Sequence, residues 1–221
     1  AKVLQRTQEV REREEEIIFR LLSATGCRDD ETGAHVRRIG LYSAEMARSL
    51  GWNQDSVEQI RLAAPMHDVG KIGIPDAVLR KPGKLTPEEF EIMKGHTEIG
   101  AGILGGSEVP LLRMAQEIAL CHHERADGSG YPQGLDGNKI PLSAAIVAVV
   151  DVYDAMVSDR VYRRAFPEEQ VLSIMSSAGG AYFGPRVFEC FMDMVPALRA
   201  IREDVQDSVE ENSSPCYLTL P

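Results

Sequence analysis

The stretch that organises this chain reads Ala64-Pro65-Met66-His67-Asp68-Val69-Gly70-Lys71-Ile72-Gly73-Ile74-Pro75. It places an imidazole and a carboxylate side by side at the expected end of a helical turn, which Gly70 should stop. Such a pair can bind a metal ion, and the charge of Lys71, three residues after Asp68, suits a phosphate. His-Asp is a common dipeptide, however, and a polar helix end with a capping histidine would explain it equally well. The positions of the other histidines decide between these interpretations.

The bulk composition limits the classes of protein that this chain can belong to. Its 221 residues, 43% of them hydrophobic, suffice for one substantial domain with appendages. A net charge of −10 disfavours a general nucleic-acid groove, although local basic clusters could still hold a small anionic ligand. No run of about 18 apolar residues occurs, so we expect no membrane span. The four cysteines are widely spaced without a Cys-x-x-Cys motif, which predicts a reduced, cytoplasmic protein.

Apolar periodicity and capping residues predict an all-α fold, arranged as a helical bundle, and the candidate ligands described below would place a metal centre in its core. We expect three parts: an N-terminal helical connector over 1–24, the main domain over 25–202 and an acidic, disordered tail over 203–221. Val3, Val10 and Ile17 recur every seven residues, but arginines occupy the second stripe that a coiled coil needs. The connector therefore favours a link to an upstream domain, and its partial seam also allows a homodimer through this helix.

The chain has five histidines, and each falls within or at the end of a predicted helix. A single histidine on a helix is usually structural or solvated, but here His122 and His123 are adjacent. Glu31 lies four residues before His35, so both can face one point if the helix starts early enough. Asp151 lies within an otherwise apolar helix, where burial is costly unless the carboxylate is paired or binds metal, and Asp154 one turn later could orient a ligand. The candidate metal ligands are Glu31, His35, His67, Asp68, His96, His122, His123 and Asp151.

The number of candidate ligands indicates more than one ion. If Asp68 bridges two metals, the set supplies about nine contacts, whereas two six-coordinate ions need about twelve and leave about three for water and substrate. We therefore expect two or three divalent ions, with Glu31 as the additional ligand of a third. Histidine and carboxylate ligands without thiolate suit iron and manganese, with zinc and nickel as alternatives.

These residues carry a resemblance to a known family. The chain resembles the HD-GYP phosphodiesterases of the HD hydrolase superfamily over roughly residues 25–200. Ala126 is one departure, since similar sequences often have tryptophan there. The matching segments are Arg28-Asp29-x-Glu31-Thr32-Gly33-x-His35, His67-Asp68-x-Gly70-Lys71-Ile72-x-Ile74-Pro75-Asp76, Lys81-Pro82-Gly83-Lys84-Leu85-Thr86, His96-Thr97-x-Ile99-Gly100, His122-His123-Glu124-Arg125-x-Asp127-Gly128-Ser129-Gly130-Tyr131-Pro132 and Asp151-x-Tyr153-Asp154-Ala155-x-x-Ser158-Asp159-Arg160.

The resemblance implies hydrolysis of cyclic di-GMP to pGpG, or on to GMP, by a binuclear or trinuclear centre on an all-helical fold. Iron is the favoured metal, followed by manganese. By position, the eight candidate ligands resemble the family's metal ligands. Lys71, Arg160 and Arg163 resemble its contacts to phosphate and guanine. Tyr131, in the signature loop Gly130-Tyr131-Pro132, is a further candidate contact to the substrate, and the loop could also contact diguanylate-cyclase-type domains.

Metal chemistry then implies a mechanism in which a hydroxide that bridges the ions attacks phosphorus in line with the leaving oxygen. Asp68 would bridge the metals and Lys71 would stabilise the charge of the transition state. A metal-bound water and Asp127 are equal candidates for the acid that protonates the leaving group. Two alternatives stay open: a non-catalytic cyclic-dinucleotide receptor or partner-docking module, and an HD phosphohydrolase acting on another cyclic dinucleotide.

Overall fold

The computed structural model describes residues 13–22, 32–159 and 164–206, together with the single residues 6 and 9. Within these ranges the chain forms helices and no strand, and Asp127 and Asp136 form an isolated β-bridge. The all-α prediction is confirmed. The helices are α1 (13–22), α2 (Gly33–Ser49), α3 (Gln54–Ala63), α4 (Asp76–Leu79), α5 (Pro87–Lys94), α6 (His96–Leu104), α7 (Pro110–Cys121), α8 (Leu142–Val157), α9 (Glu168–Phe183) and α10 (Pro185–Asp204), with 3-10 helices at Ala64–Met66 and Val69–Gly73.

Side chains cap three of these helices. Thr32 Oγ1 accepts a hydrogen bond from His35 N at the start of α2, and Asn53 Oδ1 accepts one from Ser56 N at the start of α3. Thr86 and Glu89 form a reciprocal capping box at α5. These caps fix where each helix begins, and for α2 this places His35 in the first turn.

The apolar helix α8 lies at the centre of the fold. It packs against α2, α7, α9 and α10, and most of its side chains are buried. Opposite it, Ile39, Tyr42 and Met46 of α2 are completely buried, as the periodicity of that helix predicts. Among the described residues, none of the helices has the length and apolarity that a bilayer crossing would require.

Gly70 does not end a helix, contrary to expectation. It lies inside the 3-10 helix Val69–Gly73, which packs against α6. A Cβ atom at Gly70 would lie 1.9 Å from the carbonyl oxygen of His96 and 2.4 Å from the amide nitrogen of Gly100. The glycine is therefore needed for the close approach of two backbones. The start signal Thr86-Pro87 also predicts one helix that carries both Phe90 and His96, but in the structure α5 ends at Lys94 and His96 opens α6 after a break at Gly95.

Helix α1 is anchored to the domain by apolar and charged contacts. Leu22 is buried, and Ile18 and Phe19 pack against the main core. Both carboxylate oxygens of Glu15 accept hydrogen bonds from Arg61 of α3, at 2.6 and 2.7 Å. Val3 and Val10 lie outside the described residues, so the seven-residue seam and the 1–24 boundary stay predictions. The same holds for the acidic tail, since α10 ends at Asp204 and residues 207–221 are not described.

Candidate metal centre

Five segments of the chain converge on one point and bring seven titratable side chains together. Helix α2 supplies His35, the turn between the two 3-10 helices supplies His67 and Asp68, and the first residue of α6 is His96. His122 and His123 follow α7, and α8 supplies Asp151. Within these segments the potential ligand atoms form two groups, in each of which they lie within 4.8 Å of one another: Asp68, His96, His122 and His123, and His35, His67 and Asp151.

The carboxylate of Asp68 lies between the two groups. Its Oδ1 is 3.1 Å from His96 Nε2 and 3.6 Å from His122 Nε2. Its Oδ2 is 3.3 Å from Nε2 of His67, a member of the other group. The two oxygens of one side chain thus face two ligand sets, which is the arrangement that a bridging carboxylate requires.

The Nδ1 atoms of four of these histidines are hydrogen bonded away from the centre. Because each acceptor is an oxygen, Nδ1 carries the proton and Nε2 is left with a lone pair that faces the other ligands. The pairs are His35 Nδ1 with Asp154 Oδ2 (2.8 Å), His67 with the Ala64 carbonyl (3.0 Å), His96 with the Met93 carbonyl (2.7 Å) and His122 with the Ile118 carbonyl (3.0 Å).

This donor set fits a divalent cation. Nε2 of His35 and Oδ1 of Asp68 are buried without a hydrogen-bond donor or acceptor. Nε2 of His96 and Nε2 of His122 are 3.5 Å apart, and two lone pairs cannot bond to each other. A cation between such atoms would compensate for their burial. The His/Asp groups are therefore positioned to bind a metal ion.

The electrostatics of the centre favour the protonation states that metal binding needs. Burial lowers the pKa of His122 and of His123, which keeps both imidazoles neutral. Burial alone would raise the pKa of Asp68, but the positive charge of Lys71, whose Nζ is 2.7 Å from Oδ2, outweighs it and holds that pKa well below its usual value. Asp68 is thus ionised, and each of its two carboxylate oxygens can bind a cation.

Asp154 orients His35 from behind. It is completely buried, accepts a hydrogen bond from His35 Nδ1 and receives two more from Arg38, at 2.7 and 2.9 Å. Burial would raise the pKa of Asp154, but these hydrogen bonds outweigh it and lower that pKa. The role that the sequence suggested for Asp154 agrees with this geometry. Arg38 was not singled out, although its position one turn after His35 was an available signal.

The loop after α7 forms one rim of the centre and brings Tyr131 against His123. The two rings are stacked, with centroids 4.7 Å apart and planes 27° apart. Buried Glu124 holds the loop, because its carboxylate accepts hydrogen bonds from Gln133 N (2.7 Å) and Leu135 N (2.9 Å). A Cβ atom at Gly130 would lie 2.5 Å from the Cα of Glu124, which explains the glycine before Tyr131.

Comparison with known proteins agrees with this architecture. A family model described as HD domain matches residues 24–187. The chain belongs to the HD domain family. The resemblance found in the sequence is thereby confirmed.

Relatives of this HD domain include cyclic-dinucleotide phosphodiesterases. A cyclic di-GMP phosphodiesterase of Thermotoga maritima is 46% identical over 195 residues, which make up 88% of this chain and 53% of that protein. A 3'3'-cGAMP-specific phosphodiesterase 2 of Vibrio cholerae is 40% identical, over 90% of this chain and 38% of its own length. The chain thus spans about half or less of the length of these relatives.

A solved structure supports the fold of the HD domain. An HDG"Y"P protein from Bdellovibrio bacteriovorus superposes with a TM-score of 0.60, at 16% sequence identity, over 86% of this chain and 63% of that one. At this level of identity the likeness concerns the fold alone. It agrees with the all-helical bundle described above.

The structure brings together seven of the eight side chains that the sequence proposed as metal ligands. Glu31 lies outside the described residues, as do Arg160 and Arg163, so their roles in the HD domain stay predictions. Helix α2 begins at Gly33, with Thr32 as an extended N-cap, so the helical spacing that linked Glu31 to His35 does not apply. Sequence reasoning gave no role to Glu124, although a carboxylate directly before a run of turn-forming residues was a signal for one.

Proposed function

We propose that this chain is a metal-dependent phosphodiesterase that hydrolyses cyclic di-GMP to pGpG, GMP or both. The position of Asp68 between two ligand groups carries this proposal, because a carboxylate that bridges two ions is typical of hydrolytic centres that act on phosphate esters. The activity named for the Thermotoga maritima relative supports the choice of substrate.

The two ligand groups would each hold one ion. His96, His122 and His123 would bind the first, His35, His67 and Asp151 the second, and Asp68 both. Ions bound there would supply an activated water and neutralise charge on the phosphoryl group. We favour iron, then manganese, since the ligands are imidazoles and carboxylates without a thiolate. Glu31 is the proposed additional ligand of a third ion.

Side chains of the rim would bind and orient the substrate. Lys71 Nζ lies 2.7 Å from Asp68 Oδ2, so its positive charge is placed beside the centre at which phosphoryl charge would develop. Burial and the charge of Asp68 raise the pKa of Tyr131, so its phenol stays protonated and can donate a hydrogen bond. Arg160 and Arg163 are proposed as substrate contacts from the family resemblance.

A second candidate substrate is another cyclic dinucleotide, 3'3'-cGAMP. The similarity to the Vibrio cholerae phosphodiesterase of that specificity favours it. Both substrates share the phosphodiester ring and differ in one base, so the same metal centre could serve either. A non-catalytic receptor is the weaker alternative, because receptors have no need for seven converging ligand side chains.

Two protein partners are proposed as well. The loop Gly130-Tyr131-Pro132 would contact diguanylate-cyclase-type domains. A second copy of the chain would pack on α1, where the side chains of Ile17 and Leu21 are exposed by 57% and 65%. The cytoplasm is the proposed location, because a reducing compartment suits the free, buried thiols of Cys121 and Cys190.

Turnover assays on protein loaded anaerobically with Fe(II) or Mn(II) test the proposal. Cyclic di-GMP and 3'3'-cGAMP are supplied separately at matched concentrations, and products are separated by chromatography. We expect metal-dependent release of pGpG or GMP from cyclic di-GMP, with a higher kcat/KM than for 3'3'-cGAMP. Binding of cyclic di-GMP without turnover in either metal would favour the receptor instead.

A further inference from the structure

A series of aromatic rings leads from the metal centre to the protein surface. His123 stacks on Tyr131, and Tyr131 meets Phe90 of α5 edge to face, with centroids 6.1 Å apart and planes 82° apart. His123 belongs to one of the two ligand groups. The outermost ring, Phe90, is therefore separated from a metal ligand by a single side chain.

Phe90 is not part of the main apolar core of the fold. Helix α5 has no buried residue, and the side chain of Phe90 is 46% exposed. An isolated exposed apolar residue would need no explanation. Phe90, however, adjoins a ring that lines the centre, and its exposed surface continues the rim.

The charge beside Phe90 suits an anionic ligand. Lys94 Nζ lies 5.7 Å from the ring centroid of Phe90 and 5.8 Å from that of Tyr131. Lys94 also pairs with Glu91, at 2.6 Å, but the Glu91 side chain is 69% exposed, so solvent weakens this pair. Lys71 lies beside Asp68 at the inner end of this rim. Two lysines and two aromatic rings therefore lie along the path from the metal centre to the surface.

This combination matches a nucleotide that carries both a phosphate and a base. A phosphate held at the metal centre leaves the attached base to reach outward along the rim. An aromatic side chain there can stack on the face of a base, which contributes affinity without reading its identity. One face of the Tyr131 ring is already covered by His123, whereas Phe90 keeps an exposed surface.

We infer that Phe90 is a base-contact residue, whose exposed ring stacks on one purine of the cyclic dinucleotide while Lys94 attracts the adjacent phosphate. This inference rests on the proposed function and deepens it, because it assigns a binding subsite outside the metal centre. Because the contact is to the substrate and not to the metals, it acts on substrate affinity and leaves the chemical step unchanged.

Steady-state kinetics of Phe90→Ala on cyclic di-GMP test the inference. We expect KM to rise about tenfold, within the range for the loss of one base-aromatic stack, with kcat within about twofold of the wild type. Phe90→Trp keeps an aromatic ring at this position and should therefore have a KM close to that of the wild type. Ile92→Ala is the matched control, because Ile92 lies on the same helix with the same 46% exposure. Its KM should stay within about twofold of the wild type.

A binding measurement separates failure of this inference from failure of the proposed function. Stacking quenches the fluorescence of a cyclic dinucleotide that carries 2-aminopurine, so the wild type and Ile92→Ala should quench it and Phe90→Ala should not. Quenching by the wild type without turnover would support the base contact and contradict the proposed phosphodiesterase activity. Unchanged KM and unchanged quenching in Phe90→Ala would overturn the inference, and a fall in kcat alone would do the same.

Discussion

Asp68 is the residue on which both ligand groups depend, because its two oxygens face different sets of histidines. If the two groups each hold one ion as proposed, replacing Asp68 by alanine would remove a ligand from both ions at once, whereas loss of one histidine would affect one ion. We expect Asp68→Ala to lose bound metal and to reduce hydrolysis to background. The fold should persist, since the helices pack through apolar side chains that this change does not touch. Metal content by mass spectrometry and helicity by circular dichroism measure the two effects.

Asp193→Ala is a suitable control for this change. It also removes an aspartate carboxylate, but from an exposed position on α10. It should leave metal content, activity and helicity unchanged. If Asp68→Ala kept its full metal content, the bridging role of Asp68 would be wrong.

At this scale the sequence predicted which candidate ligand side chains would converge, but not what holds them in place. A histidine pair, a His-Asp pair and an aspartate in an apolar helix are visible as residue types. The acceptors of His67, His96 and His122 are backbone carbonyls, which every residue has, so no sequence pattern marks them. Asp154 could be predicted because it is itself a costly side chain in a buried helix.

At the scale of elements, the close approach of the Val69–Gly73 helix to α6 sets the distance between Asp68 and His96. Gly70→Ala would place a methyl group against the backbone of His96 and Gly100, neither of which can move alone. We expect a loss of roughly 2 kcal/mol or more in the free energy of unfolding, with weaker metal binding because His96 is displaced. Chemical denaturation and metal titration measure these changes.

Gly102→Ala provides the control within the same helix. Nothing lies within 4 Å of a Cβ atom at Gly102, and the residue is exposed in α6. This change should stabilise the protein by about 0.5–1 kcal/mol through helix propensity. If Gly70→Ala and Gly102→Ala changed the free energy of unfolding equally, the backbone around Gly70 would have room for a methyl group, and this explanation of Gly70 would be wrong.

The ion pair between α1 and α3 gives a stability that depends on pH. The hydrogen bonds from Arg61 are the main cause of the lowered pKa of Glu15. A carboxyl group with a lowered folded-state pKa stabilises the fold above its unfolded-state pKa, and this contribution disappears as the pH falls through the folded-state pKa. We therefore expect Glu15→Gln to lower the free energy of unfolding by about 0.5 kcal/mol at pH 7. This is less than the loss expected for a buried ion pair, because solvent screens the partly exposed carboxylate. The difference from the wild type should shrink on acidification from pH 7 towards pH 3, as measured by denaturation. A difference that grew on acidification would contradict this origin.

Helix positions were predictable because caps and apolar stripes are local. The caps of Asn53 and Thr86 and the buried stripe of α2 are examples. The 3-10 conformation around Gly70 was not predictable, since it depends on a contact with Gly100 thirty residues later. The break between α5 and α6 at Gly95 was likewise missed, because helical periodicity alone continues through it.

At the scale of the whole molecule, the site exists because distant segments close on one another. His35 and Asp154 are 119 residues apart in sequence and 2.8 Å apart in space. Composition and spacing suggested that the histidines act together, and the family resemblance pointed to the same residues as metal ligands. A bridging Asp68 was expected from the sequence, but which histidines belong to which group came only from the packed helices, because elementary sequence patterns do not specify long-range contacts.

Under the proposed function, the number of ions that the chain binds would depend on Glu31, which directly precedes Thr32, the N-cap of α2, in the sequence. The seven converging side chains would account for two ions, and a third would have few protein ligands beyond Glu31. Such an ion should bind most weakly and be lost first. Under anaerobic conditions with excess metal, we expect about three ions per chain in the wild type and about two in Glu31→Gln. Asp29→Asn, in the same acidic stretch, should retain about three, since a solvated acidic junction alone would make both changes equivalent. Two ions in the wild type under metal excess, with Glu31 pointing into solvent in a crystal structure, would show that Glu31 is not a ligand, while leaving the proposed Asp68-bridged pair in place.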